Sequence, residues 1–226
     1  FHSTYYRFCS AIMRLFTVIC LIAIINITFA TTGFDAIQEM STSTFKCLYN
    51  NGYRFFIGRV WKSYGDYDYV GIQNIKNARA GGIKYVDGYI FPCLKSTCAP
   101  AANQVQAAIE KVRALGANIG MIWMDIERFA WPSNKANNRQ FIRDMVNKAK
   151  SMGVSVGIYT NYYNWQEIVG LDWTEMSGYP LWWAYYDGVE NYRNFKPFGG
   201  WNKPAIHQYK GDFKGPCGVN MDLNWY

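Results

Sequence analysis

The segment Met121–Glu127 constrains the fold of this chain more than any other stretch. It is apolar except for two acids separated by one residue, and Gly116 and Gly120 precede it. Side chains alternate faces along a strand, so Trp123, Asp125 and Glu127 share one face. The residues between them are all apolar and must be buried, which predicts a strand covered on both sides. Two acids on the other face of such a strand indicate a functional site.

The rest of the chain alternates strand-like and helix-like segments. The predicted strands are Gly33–Ala36, Tyr53–Trp61, Lys84–Phe91, Met121–Glu127, Val154–Thr160, Tyr179–Tyr186, Pro204–Tyr209 and Gly218–Leu223. The predicted helices are Thr44–Asn50, Asp68–Ala80, Ala101–Leu115, Ala136–Met152 and Tyr162–Val169. This order favours parallel strands with helices outside. At 226 residues, the chain suits one α/β domain, an irregular TIM-like (β/α)5β3 barrel.

Such a barrel places its chemistry at the carboxyl ends of its strands. Asp35, Asp125, Glu127 and Tyr159 all fall at the ends of predicted strands, and we expect the same of Asp222. Acids and a phenol from separate strands would then converge on one mouth. This convergence predicts a catalytic cleft.

Aromatic residues give a second functional signal, since they form 18% of the chain and several lie near predicted strand ends. Flat rings offer broad apolar faces to a ligand, and Tyr and Trp add a polar group at the edge. Because side chains alternate, only one of Trp182 and Trp183 can face the barrel interior. We expect Trp183 and Tyr185 to line the site, together with Trp123 and, as a further candidate, Asp187.

The chain is basic, with 23 Lys and Arg against 16 Asp and Glu and a formal charge of +7. This balance fits attraction to an acidic polymer such as a bacterial wall, or to a membrane surface. A basic exported protein with no such partner has the same composition. No cluster of Lys and Arg interleaved with aromatics stands out, so we expect no nucleic-acid partner.

The first thirty residues resemble an export signal. Met13-Arg14 precedes an apolar run from Leu15 to Ile25, and Thr28-Phe29-Ala30 offers small residues before a cleavage point. The run is too short for a spanning helix of about 20 residues, so we expect no retained membrane anchor. We expect translation to start at Met13 and residues 31–226 to form the catalytic domain, acting as a monomer. Cleavage would lower the formal charge from +7 to +5.

Four cysteines remain beyond this leader, and an even number in an exported chain argues for two disulfides. We favour Cys93–Cys98 and Cys47–Cys217, although the sequence alone permits three pairings. A zinc site is not expected, because there is no CxxC pair and His207 is the single histidine after the leader. We interpret His207 as a packed or hydrogen-bonded strand residue.

Motifs along the chain resemble those of the glycoside hydrolase family 25 lysozymes, the Chalaropsis-type muramidases, in their secreted eukaryotic branch. The similarity runs from about Gly33 to Tyr226. It is carried by Gly33-Phe34-Asp35, Asp125-Ile126-Glu127, Gly157-Ile158-Tyr159-Thr160 and Gln208-Tyr209 with Met221-Asp222-Leu223-Asn224, and by Tyr85–Cys93 and Pro197–Trp201.

This resemblance implies hydrolysis of the β-1,4 bond between N-acetylmuramic acid and N-acetylglucosamine in peptidoglycan, without metal or cofactor. Glu127 would be the general acid and later the base. Asp125 would be the nucleophile or would orient the substrate's 2-acetamido group. Asp35 and Asp222 would line the cleft with Tyr159.

The spacing of the acid pair fits this chemistry independently. Residues two apart on one strand face place their carboxyls near the roughly 5–5.5 Å of retaining glycosidases. Crowded carboxylates raise at least one pKa, so that a Glu can remain protonated as an acid. A bell-shaped pH profile with an acidic optimum is therefore expected. The structural alternative is a buried ion pair with Arg59 or Arg128.

Two other functions compete with this interpretation. A chitinase-like barrel also uses Asp-x-Glu, but Trp123 stands where such enzymes carry a further Asp, and the Asp222 motif favours a muramidase. The chain could also be a wall-binding or immune protein on an inactive barrel. The intact Asp125 and Glu127 argue against that.

Overall fold

The computed structural model describes residues 30–226. The predicted leader, with its start at Met13, lies outside the described residues except for Ala30. Within 30–226, no helix is both long enough and apolar enough to cross a bilayer.

Eight strands close into a barrel, as predicted. The strands are β1 (Thr32–Asp35), β2 (Phe55–Lys62), β4 (Tyr85–Ile90), β5 (Met121–Asp125), β6 (Ser155–Thr160), β7 (Leu181–Ala184), β8 (Ile206–Lys214) and β9 (Asn220–Trp225). Neighbours pair in the order β1, β9, β8, β7, β6, β5, β4, β2, and β2 pairs with β1 to close the ring. All are parallel except β9, which runs antiparallel to both β1 and β8. A short strand that was not predicted, β3 (Asp66–Tyr67), forms a hairpin with the end of β2.

Five helices connect the strands of the first two thirds of the barrel. They are α1 (Thr42–Asn50), α2 (Tyr69–Ala80), α3 (Ala101–Ala114), α4 (Lys135–Ser151) and α5 (Tyr162–Ile168). Side chains of Ser41, Asp68, Asn134 and Asn161 cap four of their N-termini by accepting backbone N–H groups. The predicted helices lie within two residues of these bounds, so the single-domain (β/α)5β3 prediction is confirmed.

The core forms two layers, one between the sheet and the helices and one inside the barrel. The inner layer consists of Phe55, Ile57, Trp123, Tyr159, Trp182, Ala184 and Ile206. The alternation predicted for β5 is present: Trp123 belongs to this inner layer, whereas Ile122 and Met124 pack outside. Large rings fill the lumen, and room for them comes from glycine: a Cβ on Gly157 would clash with the Trp123 ring.

Two disulfides join the pairs we favoured, one between distant parts of the chain and one within a single loop. Cys47 at α1 bonds to Cys217, between β8 and β9, across 170 residues. Cys93 bonds to Cys98 after β4.

Candidate active site

A cleft of about 360 Å³ opens at the end of the barrel where the parallel strands finish. The structure brings five of the predicted site residues together in its wall: Asp35, Tyr159, Asp125, Glu127 and Asp222. Asp35 and Asp125 end β1 and β5, and Glu127 follows β5 by two residues. Residues that are far apart in the sequence therefore meet in this cleft, because the strands that carry them end at the same side of the barrel.

Asp222 reaches the same mouth by a different route from the one predicted. We expected it at the carboxyl end of a strand, but β9 is antiparallel and Asp222 lies near its beginning. Its Cα pairs with that of Asp35 across the β1–β9 ladder. The reversed direction of β9 is what puts its early residues at this end of the barrel.

Asp35 is held by two amide side chains. Its Oδ1 accepts from Gln208 Nε2 at 2.9 Å and from Asn224 Nδ2 at 2.7 Å. Burial, followed by the charge of Asp222, raises the pKa of Asp35 from 3.8 to about 8. A proton on this carboxyl near neutral pH is the consequence.

Aromatic side chains fix both amides in place. Gln208 Oε1 accepts from Tyr159 Oη at 2.7 Å and from Tyr186 Oη at 2.9 Å. Asn224 Oδ1 accepts from Trp182 Nε1 at 2.7 Å. Because an amide that accepts on its oxygen must present its N–H₂ elsewhere, these bonds direct both amide donors toward Asp35.

Asp125 stands apart from this network. The residue is 4% exposed, and its Oδ1 has no hydrogen-bond partner among the described residues. Glu127, two residues on, is only partly buried and lines the same cleft. The pair thus presents one desolvated acceptor and one accessible carboxyl to a ligand.

Both acids hold protons more strongly than usual. Burial, then the charges of Glu127 and Asp35, raise the pKa of Asp125 well above its normal range, with Arg59 opposing. Burial and the charge of Asp222 raise the pKa of Glu127. Because these pKa values are raised, one acid of the cleft can keep its proton near neutral pH, as general acid catalysis requires.

The alternative of a buried ion pair is wrong. The Arg59 side chain binds Asp68 at 2.7 Å, and Arg128 binds Glu167 at 3.1 Å on the surface. Among residues 30–226, neither Asp125 nor Glu127 forms a salt bridge.

Comparison with known proteins identifies the family. The family model of Lysozyme-like protein 1 matches residues 26–209. Lysozyme-like protein 5 of Caenorhabditis elegans is 52% identical over 213 residues, covering 94% of this chain and 99% of that protein. Probable GH family 25 lysozyme 2 of Dictyostelium discoideum is 37% identical over 208 residues, covering 92% and 96%. The chain belongs to the glycoside hydrolase family 25 lysozymes.

The fold agrees with this membership. The structure of a family GH25 lysozyme from Aspergillus fumigatus superposes with a TM-score of 0.68 at 18% identity, covering 87% of this chain and 93% of that one. The resemblance identified from the motifs is confirmed, and the protein is a glycoside hydrolase. Within residues 30–226 of this family 25 chain, no group of three or more His, Cys or acidic side chains could hold a metal ion.

The orientation predicted for the tryptophan pair is wrong. Trp182 faces the lumen and lines the cleft of this glycoside hydrolase, whereas Trp183 packs outside the barrel. Tyr185 stacks on Trp183, with ring centroids 5.0 Å apart, and lies in a neighbouring cavity with it. The pairing of β7 with β6 determines which tryptophan faces inward, because Trp182 is opposite the inward Tyr159 in the β6–β7 ladder.

Two further expectations need correction. Trp123 shares the face of Asp125 but is one layer deeper in the lumen, where its Nε1 donates to Asp87 at 3.0 Å, and it does not reach the cleft. Asp187 does not line the cleft either. Its carboxylate accepts from Val189 N and from Asn194 Nδ2, within its own loop.

The sequence interpretation missed several residues that line the cleft of the family 25 barrel. Arg59 and Tyr89 come from β2 and β4, and Tyr186 comes from the loop after β7. Gln208 was part of the motif, but its role as holder of Asp35 was not foreseen. Tyr186 is four residues after Trp182. The alternation of side chains would therefore have placed it on the inner face, if the inward face of β7 had been known.

Proposed function

We propose that this enzyme is a secreted lysozyme that hydrolyses the β-1,4 bond between N-acetylmuramic acid and N-acetylglucosamine of bacterial peptidoglycan. One observation carries the proposal: the buried Oδ1 of Asp125, beside Glu127 in the cleft, has no hydrogen-bond partner within residues 30–226. A buried acceptor without a partner costs about 1–3 kcal/mol. The N–H of a 2-acetamido group is a donor that would satisfy it, and every sugar of peptidoglycan carries one.

In this proposal Glu127 acts first as an acid and then as a base. Its proton passes to the glycosidic oxygen as the bond to the anomeric carbon breaks. In the second step the Glu127 carboxylate takes a proton from water while the water oxygen attacks the anomeric carbon, and the bond from that carbon to the nucleophile of the first step breaks. The raised pKa of Glu127 supports the first step, because the acid must arrive protonated.

Asp125 acts on the anomeric carbon from the other side, and the anomeric configuration is retained. It attacks as a nucleophile, or it orients the acetamido group so that the acetamido oxygen attacks. Two acids separated by one residue fit the short carboxyl separation of retaining enzymes. Proton NMR of the first product formed tests this: the β-anomer is expected, and the α-anomer would exclude retention.

The pH dependence follows from the same pair. The rate should fall on the alkaline side as Glu127 loses its proton. Because the pKa of Glu127 is raised, this alkaline fall occurs at higher pH. The rate should fall on the acid side when Asp125 is protonated, and burial moves this fall to higher pH as well, because it raises the pKa of Asp125. We therefore expect a bell-shaped profile, and equal activity from about pH 4 to about pH 9 would contradict the pair.

The test of the function is release of soluble fragments from purified peptidoglycan. Glu127→Gln should lower the rate by about 10²–10⁴-fold, the usual contribution of a general acid. Glu167→Gln is the matched control, because Glu167 is exposed and pairs with Arg128 on the surface. If neither the wild type nor the control releases fragments but both bind the wall, the protein is a lectin-like barrel.

Export is part of the proposal. Two disulfides support an oxidising compartment, either outside the cell or in a lysosomal or phagosomal lumen. N-terminal sequencing of the secreted protein should begin at Thr31, and a start before it would contradict the proposed cleavage. Light scattering should give the mass of a monomer.

A further inference from the structure

His207 lies on β8 beside the cleft residue Gln208, with its own side chain fully buried on the outer side. The prediction of a hydrogen-bonded strand residue is confirmed. Nδ1 lies 2.7 Å from the backbone oxygen of Asn191, and Nε2 lies 2.7 Å from that of Tyr185. Both neighbours are carbonyl oxygens, which only accept.

These two contacts set the number of protons on the ring. A neutral imidazole has one N–H and one lone pair, so one nitrogen would turn its lone pair toward a carbonyl oxygen. Only the imidazolium donates from both nitrogens. At 2.7 Å both contacts have the length of charge-assisted hydrogen bonds.

The surroundings suit a positive charge. Trp183 stacks on the ring, with centroids 4.4 Å apart and planes at 25°, as in a cation–π contact. Asp187 Oδ1 is 3.8 Å from Nε2, and the Asp187 side chain is 13% exposed. Within residues 30–226, the phenols of Tyr192 and Tyr209 also face the ring, at centroid distances of 6.5 and 6.1 Å. Glu190 lies beyond, bonded to the Tyr209 hydroxyl.

The two carbonyls bracket a segment of the cleft wall. Residues 185–191 leave the end of β7, and Tyr186, inside this span, projects into the cleft and donates to Gln208 Oε1. Tyr186 is 59% exposed, so its own packing does little to fix it. Its position depends on how the backbone on either side is held.

We propose that His207 is a doubly protonated positioning residue that clamps the segment 185–191 against β8 and so holds Tyr186 at the substrate cleft. The effect on catalysis rests on the proposed function, whereas the protonation state does not. The clamp is complete when the ring carries both protons, and it loses one of its two bonds when a proton leaves.

The direct test is nitrogen NMR of the secreted enzyme, residues 31–226, labelled at histidine. His207 is the single histidine of this range, so assignment is unambiguous. Two ring N–H groups that exchange slowly with water at pH 5 are the expected result. A ring with a single N–H at pH 5 would overturn the proposal, whatever the activity.

The effect on the cleft is tested by His207→Gln, whose amide offers a single nitrogen. KM for peptidoglycan should rise about fivefold at pH 5, the equivalent of one hydrogen bond of about 1 kcal/mol, with kcat little changed. A variant that only unfolds more easily, with the wild-type KM at every pH, would show that His207 is structural and overturn the positioning role.

A double-mutant cycle separates the clamp from general loss of stability. In a Tyr186→Ala background, His207→Gln should have little further effect on KM, because the positioned side chain is already gone. Additive effects on KM would contradict the link between the two residues. Failure of the wild type to hydrolyse peptidoglycan would refute the proposed function and leave the NMR result to decide the protonation state.

Discussion

Replacing Asp35 with Asn should stabilise the protein at neutral pH. Asp35 is 9% exposed, and its carboxyl accepts from Gln208 and Asn224. Burial and the charge of Asp222 raise its pKa from 3.8 to about 8. Asn has nearly the same shape and keeps an oxygen that can accept the same two bonds, but it never has to give up a proton.

The magnitude and sign follow from proton linkage. Between pH 3.8 and about 8 the folded protein holds a proton on Asp35 that the unfolded chain releases. The stability associated with this group is therefore fully present below pH 3.8 and is lost as pH rises toward 8. At pH 7 the loss spans about three pKa units, or about 4 kcal/mol. Asp35→Asn should escape this loss.

Urea unfolding followed by tryptophan fluorescence measures the difference. The free energy of unfolding of Asp35→Asn should equal that of the wild type near pH 3 and exceed it by about 4 kcal/mol at pH 7. Asp172→Asn is the control: Arg139 lowers the pKa of Asp172 at the surface, so the sign should reverse and the effect should be small. A difference for Asp35→Asn that stays constant with pH would refute the reasoning.

Three further changes test the barrel and its cleft. Gly157→Ala should destabilise the protein by about 1–3 kcal/mol in urea unfolding, because the new Cβ would clash with the buried Trp123 ring; an unchanged midpoint would contradict the packing. Replacing Cys47 and Cys217 together by Ser should cost about 4–5 kcal/mol of unfolding free energy, since the bond closes a loop spanning 170 residues; a loss below about 1 kcal/mol would contradict this. Trp182→Phe removes an indole donor from the hydrogen-bond network of the cleft and should lower kcat/KM by about tenfold; unchanged kinetics would show that the network does not matter.

Much of the fold could be predicted because the residue pattern of β5 shows that both of its faces are covered. An apolar face opposite Asp125 and Glu127 requires cover on both sides, and the alternation of strands and helices then leads to a barrel. Strand ends gave the position of Asp35 and Tyr159 directly. These features are local, so the sequence pattern carries them.

Features that depend on pairing between strands could not be predicted in this way. Both faces of β7 are apolar, so alternation states that Trp182 and Trp183 face opposite ways without saying which faces inward. The register with β6 decides, by placing Trp182 beside Tyr159. The antiparallel direction of β9 likewise arises from its ladders with β1 and β8, and it moves Asp222 from a strand end to a strand beginning.

Hydrogen-bond networks could not be predicted from the sequence either. Gln208 belonged to the motif, but its bonds to Asp35, Tyr159 and Tyr186 come from three other elements. The same is true of the two carbonyls that face His207, which are backbone atoms and leave no trace in residue type.

The measurement that tests the central claim most directly is the identity of the new reducing end. Purified peptidoglycan is digested, reduced with borohydride and hydrolysed, and the reduced amino sugar is identified by mass spectrometry, with Glu127→Gln digested in parallel. Reduced muramic acid from the wild type, and none from the variant, is the predicted result. Reduced glucosamine, or equal amounts from both proteins, would contradict a muramidase that uses Glu127 as its acid.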